Sequence, residues 1–313
     1  MNKQIAGKYF LFTVQEFETI KVFMISSLFA RIIIMKIKFW GVRGSLPSCG
    51  PAFLKYGGHT SCVELRSKSG ELIVIDAGTG IKDLGRSIIG NCPESFTMLF
   101  SHSHSDHIFG FPFFLPIYKK GVKINMYGCD YSSGPVREIV LRFMQPPFFP
   151  VKFENISAKF EFNLLAKGVT EISGIKIKLI EISHPDGGFG FRFEEDGKSI
   201  VFLTDNELMF RHKGGHSFEE YADFCKNADI LIHDAQYTEN DYKTHISWGH
   251  STPEQVIELA KKAGVKKAVF FHHDPERTDA ELDRMTAFAH NMIRKSGYKI
   301  SCDAARADQE IIL

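Results

Sequence analysis

The segment Ser101-His102-Ser103-His104-Ser105-Asp106-His107 constrains this chain more than any other. It follows the apolar run 96–100, so a strand carries the chain straight into a polar loop. Three imidazoles and one carboxylate, spaced H-x-H-x-D-H, reach one place if that loop is tight. Neutral imidazole nitrogen and carboxylate oxygen are the donors that Zn²⁺ and similar borderline divalent ions take. The loop holds more donors than one tetrahedral ion needs, and the spacing suits two ions sharing the cluster. The bland alternative is a polar, His-rich surface loop.

Single donors end later strand-like runs. His184 follows 174–183 (GIKIKLIEIS), Asp205 follows 199–204 (SIVFLT) and His272 follows 267–271 (KAVFF). With the loop, this order resembles the metallo-β-lactamase superfamily over nearly all of residues 35–313. The resemblance implies that His102, His104 and His184 hold one ion and that Asp106, His107 and His272 hold the other. Asp205 bridges the two. His273 adjoins His272 and remains open as the ligand on the residues alone; the family's spacing favours His272. Two divalent ions are implied, Zn²⁺ first, with Mn²⁺ also compatible with these donors. The implied fold is a four-layer αββα sandwich of the α/β (α+β) class.

Composition supports an enzyme with a sizeable core. The chain has 313 residues, 44% of them hydrophobic and 24% charged, with a formal net charge of +1. No global basic field points to nucleic acid and no acidic run points to disorder. The six cysteines are scattered without a C-x-x-C pair. That argues against a disulfide framework or a thiolate zinc site, and fits a cytoplasmic protein with free thiols. Residues 1–34 read as an extension. Their apolar run 23–30 is too short to span a bilayer, and Met35 opens MKIKFWGVRGSLPS, an alternative start for the domain 35–313.

From Met35 onward short strands alternate with turns. Strand-like runs are 36–40, 61–66, 72–76, 96–101 and 123–127, then 175–182, 190–194, 199–204, 230–233 and 268–272. Ser251-Thr252-Pro253-Glu254 reads as a capping box opening a helix that Gly264 closes. Thr278-Asp279-Ala280-Glu281 opens another, ending near Gly297, and 135–144 and 217–227 also read as helical. His212, His216, His245 and His290 sit in polar or helical contexts and read as solvated.

Two close cations clamp attacking and leaving oxygens and ionise a bridging water near neutral pH. Asp106 can hold both metal and hydroxide. A proton donor for the leaving oxygen must come from elsewhere. The stretches 232–236 (IHDAQ) and 249–252 (GHST) resemble paired motifs of the phosphodiesterase branch, which includes tRNA 3′-processing endonucleases. Carried over, Asp234 orients His250, which acts as general acid; the branch usually has Glu where this chain has Asp234. Structural roles, a turn and a helix entry, are the alternative.

The tRNA-processing members usually carry a long arm between the third His and the bridging Asp. Here 20 residues separate His184 from Asp205, leaving no room for one. The motifs 41–47 (GVRGSLP), 56–62 (YGGHTSC) and 76–80 (DAGTG) resemble compact members that open cyclic phosphates. The expected activity is therefore hydrolysis of a small cyclic phosphodiester, first a 3′,5′-cyclic nucleotide. The alternatives are tRNA 3′-processing and phosphoribosyl 1,2-cyclic phosphate hydrolysis. Asp76 is expected to back the metal loop by hydrogen bonds. His59 reads as supporting or structural, and Arg43 as a phosphate contact or a structural ion pair. The aromatic run 108–118 lines a pocket mouth, stacks on a base, or forms a dimer surface. A homodimer is expected, with no membrane and no stable nucleic-acid partner.

Overall fold

Runs rich in β-branched and aromatic residues favour a pleated surface over a helix. The computed structural model describes residues 35–128, 134–165 and 168–313; the extension 1–34 and Cys129 lie outside them. Its strands are β1 (Lys36–Gly41), β2 (Cys62–Arg66), β3 (Leu72–Ile75), β4 (Ser95–Leu99), β5 (Lys123–Gly128), β6 (Lys159–Leu164) and β7 (Val169–Ile172). They continue with β8 (Ile175–Glu181), β9 (Phe189–Glu195), β10 (Lys198–Leu203), β11 (Ile230–Asp234), β12 (Lys267–Phe271), β13 (Ser301–Ala304) and β14 (Glu310–Ile312). The helices are α1 (Ile81–Ile88), α2 (Val136–Phe143), α3 (Phe218–Phe224), α4 (Glu239–Tyr242), α5 (Pro253–Ala263) and α6 (Asp279–Ser296).

Among the described residues the strands form two seven-stranded sheets. Their orders are β14-β1-β2-β3-β4-β5-β6 and β13-β12-β11-β10-β9-β8-β7. Each is antiparallel at one end and parallel at the other, from β3 to β6 and from β10 to β13. Side-chain alternation with period two sorts the core. Ile200 and Phe202 of β10 join an apolar cluster shared by both sheets, whereas Val201 and Leu203 join a second one with Val256, Leu259 and Ile293. A ring contact ties the sheets face to face: Phe271 of β12 lies 5.9 Å from Phe39 of β1, and 5.4 Å from Phe202 within its own sheet. The buried stripe Ile81, Leu84 and Ile88 seats α1 in the first cluster, and α5 and α6 cover the second sheet. This is the four-layer αββα sandwich. No helix among the described residues is long and apolar enough to cross a membrane.

Local departures have local causes. Proline at the first helical position of α5 makes Thr252 the N-cap, and Gln255, not Glu254, closes the capping box. Ser251 instead donates to the Asn206 carbonyl at 2.6 Å. The helix expected over 217–227 runs only over Phe218–Phe224. For the site, the decisive feature is direction. Asp76, the donor loop, Asp205, Asp234 and His272 all stand at the carboxyl ends of parallel strands, where α/β sheets gather functional groups.

Candidate metal centre

The loop after β4 brings His102 and His104 against His184, and Asp106 and His107 against Asp205 and His272. In each group the donor atoms lie within 4.8 Å of one another. Asp205 stands between the groups. Its Oδ1 is 3.1 Å from His272 Nε2, 3.7 Å from His102 Nε2 and 3.9 Å from His184 Nε2, and its Oδ2 is 3.3 Å from His107 Nε2. Asp106 Oδ2 lies 3.0 Å from His272 Nε2 and 3.2 Å from His107 Nε2, and accepts the Ser45 amide at 2.8 Å. All seven side chains are buried except that of His104, which is partly exposed.

The backbone aims these groups. Asp76, Asp205 and His272 take left-handed conformations, with φ of 60°, 52° and 57°. Each costs on the order of 1–3 kcal/mol for a non-glycine residue and persists only where surroundings enforce it. The turn at His272 throws its ring into the cluster. His273 faces away, its Nε2 donating to the Ala305 carbonyl at 2.7 Å and its ring edge-on to Tyr56. The structure thus brings His272, not His273, to the other donors. Close backbone approach demands glycine at two places. A Cβ on Gly44 would stand 2.3 Å from the His272 ring, and one on Gly249 1.9 Å from His184 Nδ1.

Outer hydrogen bonds set the imidazole tautomers. Nδ1–H of His107 donates to Asp76 Oδ2 (2.7 Å), that of His272 to Gln236 Oε1 (2.9 Å) and that of His184 to the Gly249 carbonyl (3.1 Å). The Nε2 lone pairs therefore face inward, and His104 turns its Nδ1 to His184 Nε2 at 3.0 Å. Two tests show that cations fit. His102 Nε2 is buried without a hydrogen-bond partner. His107 Nε2 and His272 Nε2 confront each other at 3.3 Å, a repulsive pairing without positive charge between them. Burial and neighbouring imidazoles push His102 well below its ordinary pKa and His184 down to about 3, so both stay neutral donors. Burial opposes protonation of His107 too, but Asp106, Asp205 and Asp76 raise it, so this spot draws positive charge. Five imidazoles and two carboxylates form a donor set suited to Zn²⁺ and similar ions.

Asp76 is fully buried and also accepts the Ser101 amide (2.7 Å) and the Ser101 and Ser61 hydroxyls (2.9 and 3.1 Å). It backs the loop as expected. Asp76→Asn should weaken metal affinity about 10- to 100-fold, the usual effect of losing an outer partner of a ligand. Competition with a chromophoric chelator measures it; unchanged affinity would remove Asp76 from the account.

Beside the cluster, Asp234 Oδ2 accepts Nδ1–H of His250 at 2.5 Å. The shorter Asp side chain therefore makes the contact directly. The His250 ring is stacked on His272 at 5.1 Å and tilted against His184 at 5.3 Å. Burial alone would lower its pKa, but the Asp234 carboxylate overrides it and raises it to about 9.

Four supporting groups escaped the sequence reading: the Ser45 amide, Gln236, the Gly249 carbonyl and Glu207. Glu207 is buried and accepts from Tyr242 Oη, Ser247 N, Gly249 N and His212 Nε2 at 2.7–3.1 Å. It thereby pins the loop that carries Gly249 and His250. His212 is correspondingly not solvated; its side chain is 12% exposed. Arg43 is fully buried and donates to the carbonyls of Gly57, Asp274 and Arg277, so it is structural and touches no donor of the cluster. His59 contacts Thr79 and Asp83, away from the cluster.

A two-sheet sandwich with a buried His/Asp cluster at its strand ends defines a metal-dependent hydrolase. The chain belongs to the β-lactamase superfamily, whose domain model matches residues 72–273. It is 25% identical over 296 residues to a ribonuclease Z of Prochlorococcus marinus (strain MIT 9515), covering 79% of this chain and 91% of that one. Among solved structures it is similar to the metallo-beta-lactamase fold protein YhfI from Bacillus subtilis, at 17% identity and TM-score 0.63, covering 88% of this chain and 99% of that one. It is also similar to human tRNase Z, short form, at 20% identity and TM-score 0.59, covering 88% and 98%. These structures share its fold.

Proposed function

We propose that this chain is a phosphodiesterase in which His250 protonates the leaving oxygen. The observation that carries this reading is the Asp234–His250 pair, held against the donor cluster with Nδ1 committed to the carboxylate. His102, His104 and His184, and Asp106, His107 and His272, together with Asp205, would hold divalent ions, which would supply Lewis-acid charge and lower the pKa of bound water. Asp234 fixes the His250 tautomer and keeps a proton on Nε2 for transfer. Burial of His250 and its neighbours limits competition from bulk water.

Two substrates are supported by different observations. Ribonuclease Z relatives matching most of the chain favour an RNA 3′ end, tRNA first, over the cyclic nucleotide that the motifs alone suggested. The connection from His184 to Asp205 favours a small cyclic phosphodiester as the second reading. It holds only a turn, β9 and β10, which leaves no room for an added arm. Metal-loaded protein should be offered a precursor tRNA with a 3′ trailer, a panel of 3′,5′-cyclic nucleotides and phosphoribosyl 1,2-cyclic phosphate. Trailer removal is the expected result. Turnover of the cyclic compounds with the trailer intact would move the assignment to the second reading. Turnover of none would end the phosphodiesterase proposal.

A further inference from the structure

The donor loop borders a cavity that the chemistry above leaves unused. Ser103, between His102 and His104, lines about 350 Å³ together with Ile139, Arg142 and Phe143 of α2 and with Phe148 beyond it. Phe109, two residues past His107, stands edge-on to Phe143 at 5.2 Å. The loop therefore borders the cavity through Ser103 and touches a lining ring through Phe109. Of the lining residues Ile139 is buried, while Phe148 is 75% exposed.

We propose that this cavity is a nucleobase subsite, taking the base of a nucleotide whose phosphate lies at the donor cluster. The proposal rests on the phosphodiester reading for the place of the phosphate. Three features select a base. The volume is at the small end of the roughly 300–1,000 Å³ typical of ligand pockets, enough for one flat heterocycle but not for a folded partner. Two of the five lining residues, Phe143 and Phe148, are aromatic, and every base offers a π-face to such rings, so stacking tolerates any sequence. The one charged lining residue is Arg142, a cation suited to a base face or to an adjoining phosphate.

Calorimetry on the full-length, zinc-loaded protein tests this with two probes, adenosine 5′-monophosphate and ribose 5-phosphate, which differ by the base. The wild type should bind the nucleotide about tenfold more tightly, the effect of one stacked base. Phe148→Ala should abolish most of that preference and leave ribose 5-phosphate binding unchanged. Its side chain lies mostly in water, so the fold is not at stake. Trp248→Ala, another exposed ring near His250, should keep the preference. Equal binding of the two probes, binding of neither, or loss of preference in Trp248→Ala but not Phe148→Ala overturns the subsite. A base preference lost in Phe148→Ala, in protein that hydrolyses no phosphodiester, keeps the subsite and removes the proposed function. Hydrolysis without base preference does the reverse.

Discussion

Replacing His250 with alanine should lower kcat by ~10²–10⁴, the usual range for a positioned general acid, while bound metal is retained. The pH profile separates this from a structural defect. Burial disfavours the charged ring, but Asp234 outweighs it and holds the proton up to about pH 9. A general acid works in its protonated form, so kcat/KM should be maintained below that pH and fall above it. Asp234→Asn removes the strongest raising influence on His250. Its alkaline limb should therefore move to lower pH, whereas a merely structural loss would scale the whole profile down. Metal content measured on each variant completes the test. An unshifted limb in Asp234→Asn would exclude His250 as the acid.

Asp205→Ala should have the broadest effect. One carboxylate faces imidazoles of both groups, from His272 at 3.1 Å to His184 at 3.9 Å. Burial would raise the Asp205 pKa, but the His272, His107 and His102 rings outweigh it and hold the carboxyl well below the usual carboxylate range. Its loss should reduce affinity for both ions by more than the ~10–100-fold typical of losing an outer partner. Thermal melting gives the readout. Ions that bind only the folded chain raise Tm by mass action. The wild type should melt higher on adding Zn²⁺, and Asp205→Ala should lose most of that rise. An equal rise in both proteins would remove Asp205 from the centre.

The donor loop was legible in the sequence because its four donors lie within six positions and follow an apolar run. The lone donors His184, Asp205 and His272 were legible only through their places after strands. Choosing between His272 and His273 needed the left-handed turn at His272, which residue type does not announce. Gln236, Gly249 and Glu207 act through partners 36, 65 and 42 residues away, so no local pattern shows them. The strands β6, β7, β13 and β14 lie at or near sheet edges, with half-exposed and polar stretches that blur the alternation. Helix α1 was missed because Gly80 caps it without a side-chain hydrogen bond. Arg43 shows the converse problem: an Arg in a Gly-rich motif suits phosphate and carbonyls equally, and here three backbone carbonyls hold it.

The most direct measurement is hydrolysis of bis(p-nitrophenyl) phosphate by the full-length protein, before and after chelation and after reloading with Zn²⁺ or Mn²⁺. The account predicts turnover that chelation abolishes and either ion restores, with two ions bound per chain. No turnover from protein shown to hold two ions would contradict it, as would turnover indifferent to the chelator.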